Sequence, residues 1–127
     1  MGLPRILLMV LRVGGALLVI LGVGLWTGHW YTFVGVHRTV GILFVLTLWA
    51  IAVIAIVQRR SVGVAAFALL WGLVIAAIGF TQQRILPGDL HWIVRVLHLI
   101  IGLAAMPIAE RLAPSTRRVA APAARAA

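Results

Sequence analysis

Four histidines are the residues of this chain with the widest choice of chemistry. They are His29, His37, His91 and His98. The chain has no cysteine and only two acidic residues, Asp89 and Glu110. Without cysteine it cannot form disulfides, thiolate metal sites or iron–sulfur clusters from its own side chains. Imidazole is therefore the only strong metal ligand that the sequence supplies in number.

Two of these histidines share a local pattern. Gly41 follows His37 by four residues, and Gly102 follows His98 by the same distance. Residues four apart share one face of a helix, so each imidazole has space beside it one turn deeper. A porphyrin edge needs such space, and its iron takes an axial imidazole from each side. The pattern predicts haem b bound by His37 and His98, with a chlorophyll-type pigment, whose magnesium also accepts imidazole, as the alternative cofactor.

Other polar residues lie close to this pair in the sequence. Arg38 follows His37, and Arg95 precedes His98 by three residues. Both arginines could pair with haem propionates, or extend to lipid phosphate as interfacial anchors. His91 lies seven residues before His98, on nearly the same helical face and roughly 10 Å higher. It could replace His98 as the second ligand or line the mouth of the site.

The composition predicts that membrane-spanning helices position these residues. Of the 127 residues, 64% are hydrophobic and only 10% are charged. Four apolar stretches are long enough to cross about 30 Å of hydrocarbon at a helical rise of roughly 1.5 Å per residue. The predicted spans are about 6–26, 39–57, 62–80 and 90–109. The first span has no small-residue cleavage site after a short apolar core, so we expect it to be retained.

The expected fold is all-α, an antiparallel bundle of four transmembrane helices formed by residues 1–112. Residues 113–127 are rich in Ala, Pro and Arg, which predicts a flexible cytoplasmic tail. In such a bundle the second and fourth helices run in the same direction. Their ligands can therefore meet inside the bundle from opposite sides of a flat cofactor.

Arginine sets the expected orientation, because basic residues near short loops resist translocation. Eight arginines fall on one side: Arg5, Arg12, Arg59, Arg60, Arg111, Arg117, Arg118 and Arg125. Three fall on the other: Arg38, Arg84 and Arg95. This asymmetry predicts cytoplasmic termini, all four histidines in the outer half, and a bacterial inner (plasma) membrane as the location. Because the arginines flank membrane spans, the net charge of +9 indicates contact with lipid headgroups and not with nucleic acid.

The residues from about Thr32 to Ala109 resemble one half of the heme A synthase family. The resemblance rests on His37-Arg38 opening an aliphatic helix, followed by a third span, a short outer loop and His98 in the fourth span. Members of that family look like two fused four-helix bundles, each with a His pair around a haem pocket on the outer side. The resemblance implies that His37 and His98 are the matching pair. The catalytic half of the family has a Glu three residues before its first His, where this chain has Val34, so the resemblance supports haem binding better than synthase activity.

Two functions fit these features. The first is a membrane b-type cytochrome-like protein with haem between helices two and four near the outer face, for electron transfer or as a haem-carrying subunit of a larger respiratory or photosynthetic complex. The second is a small structural accessory subunit, without its own cofactor or with a pigment ligated by His. Both imply the lipid bilayer and either other membrane subunits or further copies of this chain as partners. An enzyme is a third candidate, although hydrolytic chemistry lacks its parts: there is no Cys and no Ser or Thr with a His–carboxylate pair.

Overall fold

Four long helices make up almost all of the chain between residues 2 and 113, which are the residues that the computed structural model describes. The helices are α1 (Leu3–Trp26), α2 (Val34–Val57), α3 (Val62–Thr81) and α4 (His91–Leu112). Each is long and apolar enough to cross a membrane. The predicted all-α bundle of four spans is therefore confirmed. Of the predicted tail, residues 114–127 lie outside the described part of the chain.

Helix α2 begins earlier than the sequence predicted. A single 3₁₀ turn, Tyr31–Phe33, leads directly into the helix, which starts at Val34 and not near residue 39. His37 is consequently the fourth residue of α2, and helical geometry fixes the direction of its side chain. A second 3₁₀ turn, Gln82–Arg84, follows α3 at the same end of the bundle.

A tight turn joins α2 to α3 at the opposite end. The backbone N–H of Arg59 donates to the carbonyl of Ile56, and that of Arg60 donates to the carbonyl of Ala55, both at 2.8 Å. Arg59 has a left-handed backbone, with φ of 53°. These features complete a Schellman motif, which satisfies carbonyls that the helix end leaves without partners. The turn makes α2 and α3 antiparallel neighbours.

The helices form a closed ring in which each packs against its neighbours in the chain and α1 packs against α4. Helices α2 and α4 also make contact across the ring, whereas within residues 2–113 α1 and α3 do not. Helices α2 and α4 therefore lie closer to each other than α1 and α3 do. Side chains on the inward faces of these two helices can meet in the interior.

The core is continuous along the bundle, and α3 fills its part of it with small residues. One cluster of buried hydrophobic side chains includes Leu11 of α1, Leu48 of α2 and Ile101 of α4. The inward face of α3 includes Ala65 and Ala68, which lets its backbone approach the adjacent helices closely. Large aliphatic side chains cover the outside of the bundle. That surface suits hydrocarbon as its solvent.

An ion pair joins the first and last helices. Arg12 Nη2 donates to Glu110 Oε1 at 2.6 Å, and both side chains are about half-exposed. A charged group within an apolar span is costly unless a partner of opposite sign neutralises it. Pairing therefore lets α1 and α4 each carry a charge inside their apolar sequences.

Candidate functional site

His37 and His98 both lie on the core-facing sides of their helices. The buried residues of α2 recur at intervals of three or four and include Phe44, Leu48, Ile51 and Ala55. His37 lies seven residues before Phe44, on the same face two turns toward the helix start. In α4, His98 falls in the corresponding series, four residues after buried Val94 and three before buried Ile101. Helical periodicity thus turns both imidazoles toward the interior.

Each of these two imidazoles has a buried nitrogen without a partner. The Nδ1 atoms of His37 and His98 are buried and make no hydrogen bond within residues 2–113. His37 is the fourth residue of α2 and His98 the eighth of α4, and these helices run in the same direction, so both rings lie in the same half of the bundle. A buried polar atom without a partner costs free energy, so native proteins satisfy nearly all such atoms. His37 and His98 are therefore the candidate site residues whose environment most needs a partner.

Glycines on the other two helices face the same level. A Cβ at Gly22 of α1 would lie 3.5 Å from Cε1 of His37, and a Cβ at Gly79 of α3 would lie 3.5 Å from Cε1 of His98. Each imidazole thus packs against a residue without a side chain, of which Gly22 is half-buried and Gly79 is exposed. Sequence analysis missed the pairing of these glycines with the histidines. The signal was present in α3, where the buried face Ala65, Ala68, Gly72 and Ile75 continues to Gly79 at helical spacing.

The two glycines that the sequence analysis singled out have different surroundings. A Cβ at Gly102 would meet no heavy atom within 4 Å, so open space lies beside α4 one turn deeper than His98. A Cβ at Gly41 would lie 3.9 Å from a methyl group of Leu18, which is an ordinary van der Waals contact. Space is therefore larger on the α4 side. Both positions can accommodate a neighbouring group without displacing backbone.

The predicted arginines lie at the same end of the bundle as the histidines. Arg38 extends toward α3, with its Cζ atom 5.9 Å from the centre of the Phe80 ring, a cation–π contact. Phe80 is adjacent to Gly79, so this contact links α2 to the segment of α3 that faces His98. Arg95 is half-buried one turn above His98. Among residues 2–113, neither arginine has an acidic partner within ion-pair distance.

The remaining histidines are not brought to this pair. The Nδ1 atom of His91 lies 3.2 Å from the carbonyl oxygen of Ile85 in the preceding loop, so this ring is used to hold the loop to the start of α4. His29 lies beside a separate groove of about 470 Å³ on the outside of α1, together with Val23 and Trp30. The geometry thus favours His98 over His91 as the partner of His37.

The donor set restricts which metals the site could hold. Residues 2–113 contain no cluster of three or more His, Asp or Glu side chains placed to bind one ion. Structural and catalytic zinc sites use at least three protein ligands. Two imidazoles suffice only when the metal carries most of its own ligands, as iron does in a porphyrin.

Comparison of the chain with protein-family models, curated proteins and solved structures finds no match. Val34, at the position where the resembled synthase family has a Glu, is the exposed first residue of α2. No carboxylate is supplied there.

Proposed function

We propose that this protein is a membrane cytochrome of the b type, which holds one haem b between α2 and α4 near the outer face of the bundle. His37 and His98 would hold its iron. The haem supplies one-electron chemistry when bound, so the protein acts in electron transfer or as the haem-carrying subunit of a larger respiratory or photosynthetic complex.

One observation carries this proposal: two inward-facing imidazoles at the same level of an apolar bundle each have a buried nitrogen with no partner. A metal bound at Nδ1 would give each of these atoms a partner, whereas a metal bound at Nε2 would leave Nδ1 as an N–H donor that still needs an acceptor. Gly22 and Gly79 let the two rings pack closely against the backbones of α1 and α3.

Other residues have roles in the proposed site that follow from their positions. Gly102, with open space beside it, and Gly41 leave room for the macrocycle one turn deeper than each ligand. Arg38 and Arg95 are cations at the outer end without acidic partners among the described residues, so they can pair with the two propionates. This pairing would orient the acidic edge of the haem toward the membrane surface. His91 remains bonded to the loop at the mouth of the site.

The proposed orientation follows from the arginine asymmetry. Among residues 2–113, five arginines lie at the end that contains the α2–α3 turn, against three at the histidine end, and this asymmetry favours cytoplasmic termini. The haem then lies near the outer surface of a bacterial plasma membrane. A redox partner would approach from that side or from within the membrane.

An absorption spectrum of the purified protein in detergent tests the proposal. Four single variants should be compared with the parent protein: His37→Ala, His98→Ala, His91→Ala and His29→Ala. We expect the parent to show a Soret band and the pyridine haemochrome spectrum of haem b. The first two variants should lose that band or shift it, because each removes an axial ligand, whereas the last two should retain it as matched controls.

Three results would contradict the proposal. A parent protein that has no Soret band and binds no added haemin would indicate the cofactor-free accessory subunit. Extraction of a magnesium chlorin would identify a pigment-binding subunit. A Soret band that is unchanged in both His37→Ala and His98→Ala would place the haem elsewhere.

A further inference from the structure

Two tryptophans make the same kind of hydrogen bond between helices. The indole Nε1–H of Trp49, in α2, donates to the backbone carbonyl of Leu69 in α3 at 3.0 Å. The indole Nε1–H of Trp71, in α3, donates to the carbonyl of Ile101 in α4, also at 3.0 Å. Both carbonyls belong to helical residues, so each indole attaches directly to the backbone of a neighbouring helix. The bonds differ in their distance from the histidine pair.

The acceptor of Trp71 lies next to the proposed haem site. Ile101 is buried on the same face of α4 as His98, three residues further along, and it precedes Gly102. The ring of Trp71 is itself held by a stacking contact with Phe67, with ring centres 5.4 Å apart. This stacking contact helps to orient the indole N–H of Trp71 toward α4. By contrast, Leu69 lies on α3, and Trp49 is twelve residues beyond His37.

The backbone contact of Trp71 restrains α4 less than one turn beyond His98. Pro107 lies inside α4 and has no N–H, so the helix lacks the backbone hydrogen bond to the Leu103 carbonyl, two residues beyond Ile101. In a membrane, water does not compete for the Ile101 carbonyl, and such interhelical bonds fix the relation of one helix to the next. A rotation of α4 about its axis would turn His98 away from His37. The Trp71 bond opposes that rotation.

We infer that Trp71 is a positioning residue of the site: its bond to Ile101 sets the rotation and depth of α4 so that His98 faces His37. This inference rests on the proposed function for its link to haem. Its structural part concerns only the two ring positions, so it can be measured without haem. Trp49→Phe provides the matched control, because it removes the same indole donor from an equivalent interhelical bond remote from His98.

The first measurement is haemin titration of the haem-free protein, followed by the Soret band, in Trp71→Phe and Trp49→Phe. Loss of one interhelical hydrogen bond corresponds to about a 3- to 30-fold change in an equilibrium constant. We expect Trp71→Phe to raise the haemin dissociation constant by about that factor and to give a partly high-spin ferric spectrum. Trp49→Phe should bind haemin as the parent does. If Trp71→Phe does not accumulate in the membrane, Trp71→Tyr replaces it, since tyrosine keeps an aromatic ring but cannot place its donor at the same point.

The second measurement needs no haem. Because the chain contains no cysteine, the double variant His37→Cys/His98→Cys introduces the only two thiols. Short bifunctional thiosulfonates of stepped length then report how readily positions 37 and 98 meet. In this background Trp71→Phe should slow cross-linking by the shortest reagent and Trp49→Phe should not.

The two measurements separate the inference from the proposed function. If the parent binds no haemin but Trp71→Phe still slows cross-linking selectively, the cytochrome proposal fails and the positioning role of Trp71 stands. If Trp71→Phe or Trp71→Tyr matches the parent in both measurements, the inference is overturned. Equal effects of the Trp71 and Trp49 variants would also overturn it, because they would show a general loss of packing.

Discussion

A larger side chain at Gly102 distinguishes a haem pocket from an ordinary gap between helices. In the structure a side chain at this position would meet nothing within 4 Å of its Cβ. Gly102→Leu should therefore leave the haem-free bundle intact. Leucine is also the better helix former, by about 0.5–1 kcal/mol relative to glycine. The thermal stability of the haem-free variant should equal or exceed that of the parent.

The same substitution should weaken haem binding. If the macrocycle occupies the space one turn deeper than His98, an isobutyl group there must displace it or shift α4. Overpacking of a filled site costs about 1–3 kcal/mol, which corresponds to roughly a 5- to 150-fold increase in the haemin dissociation constant. Haemin titration followed by the Soret band measures this change directly.

Gly63→Leu is the matched control, because a Cβ at Gly63 also meets nothing within 4 Å and this residue lies in the first turn of α3 at the opposite end. It should bind haemin as the parent does. If Gly102→Leu binds haemin with unchanged affinity, the pocket does not extend toward Gly102. If both variants lose binding equally, the effect is not local to the site. Either result would refute the reasoning from space beside α4.

Three further predictions concern the bundle. A double-mutant cycle with Arg12→Gln and Glu110→Gln, followed by thermal unfolding in detergent, should give a favourable coupling of up to about 1 kcal/mol for this half-exposed pair; zero coupling would show that it does not hold α1 to α4. Gly72→Leu should destabilise the bundle by about 1–3 kcal/mol, since a side chain there overlaps the indole of Trp49, and melting unchanged from the parent would contradict that packing. A reporter that is active only in the cytoplasm should be active when it is fused to either terminus. A reporter that is active only in the periplasm should be inactive there, and activity from either end would reverse the proposed orientation.

The fold could be predicted from the sequence because hydrocarbon permits few alternatives. Long apolar stretches must form helices, since the bilayer interior offers no partner for an unpaired backbone group. The start of α2 was less predictable. Residues Val34 to Arg38 include polar groups and lie near the interface, so hydropathy alone placed the boundary five residues too late. The helix starts at Val34 because the 3₁₀ turn Tyr31–Phe33 continues directly into it.

The candidate site was predictable in part. Helical spacing relates His37 and His98 to the buried faces of their helices, and it also marks the open position at Gly102. Spacing within one helix cannot show which residues of other helices lie opposite. For that reason Gly22, Gly79 and the bond from Trp71 to Ile101 emerge only from the packed bundle. The choice between His91 and His98 likewise needed the loop carbonyl of Ile85.

Electron paramagnetic resonance of the haemin-loaded ferric protein tests the central claim most directly, because the spin state of ferric haem reports its axial ligands. Two imidazole ligands predict a low-spin signal in the parent protein. Either His37→Ala or His98→Ala should convert that signal to the high-spin form by leaving iron with one protein ligand. A parent that takes up no haemin, or that stays high-spin when loaded, would contradict the account.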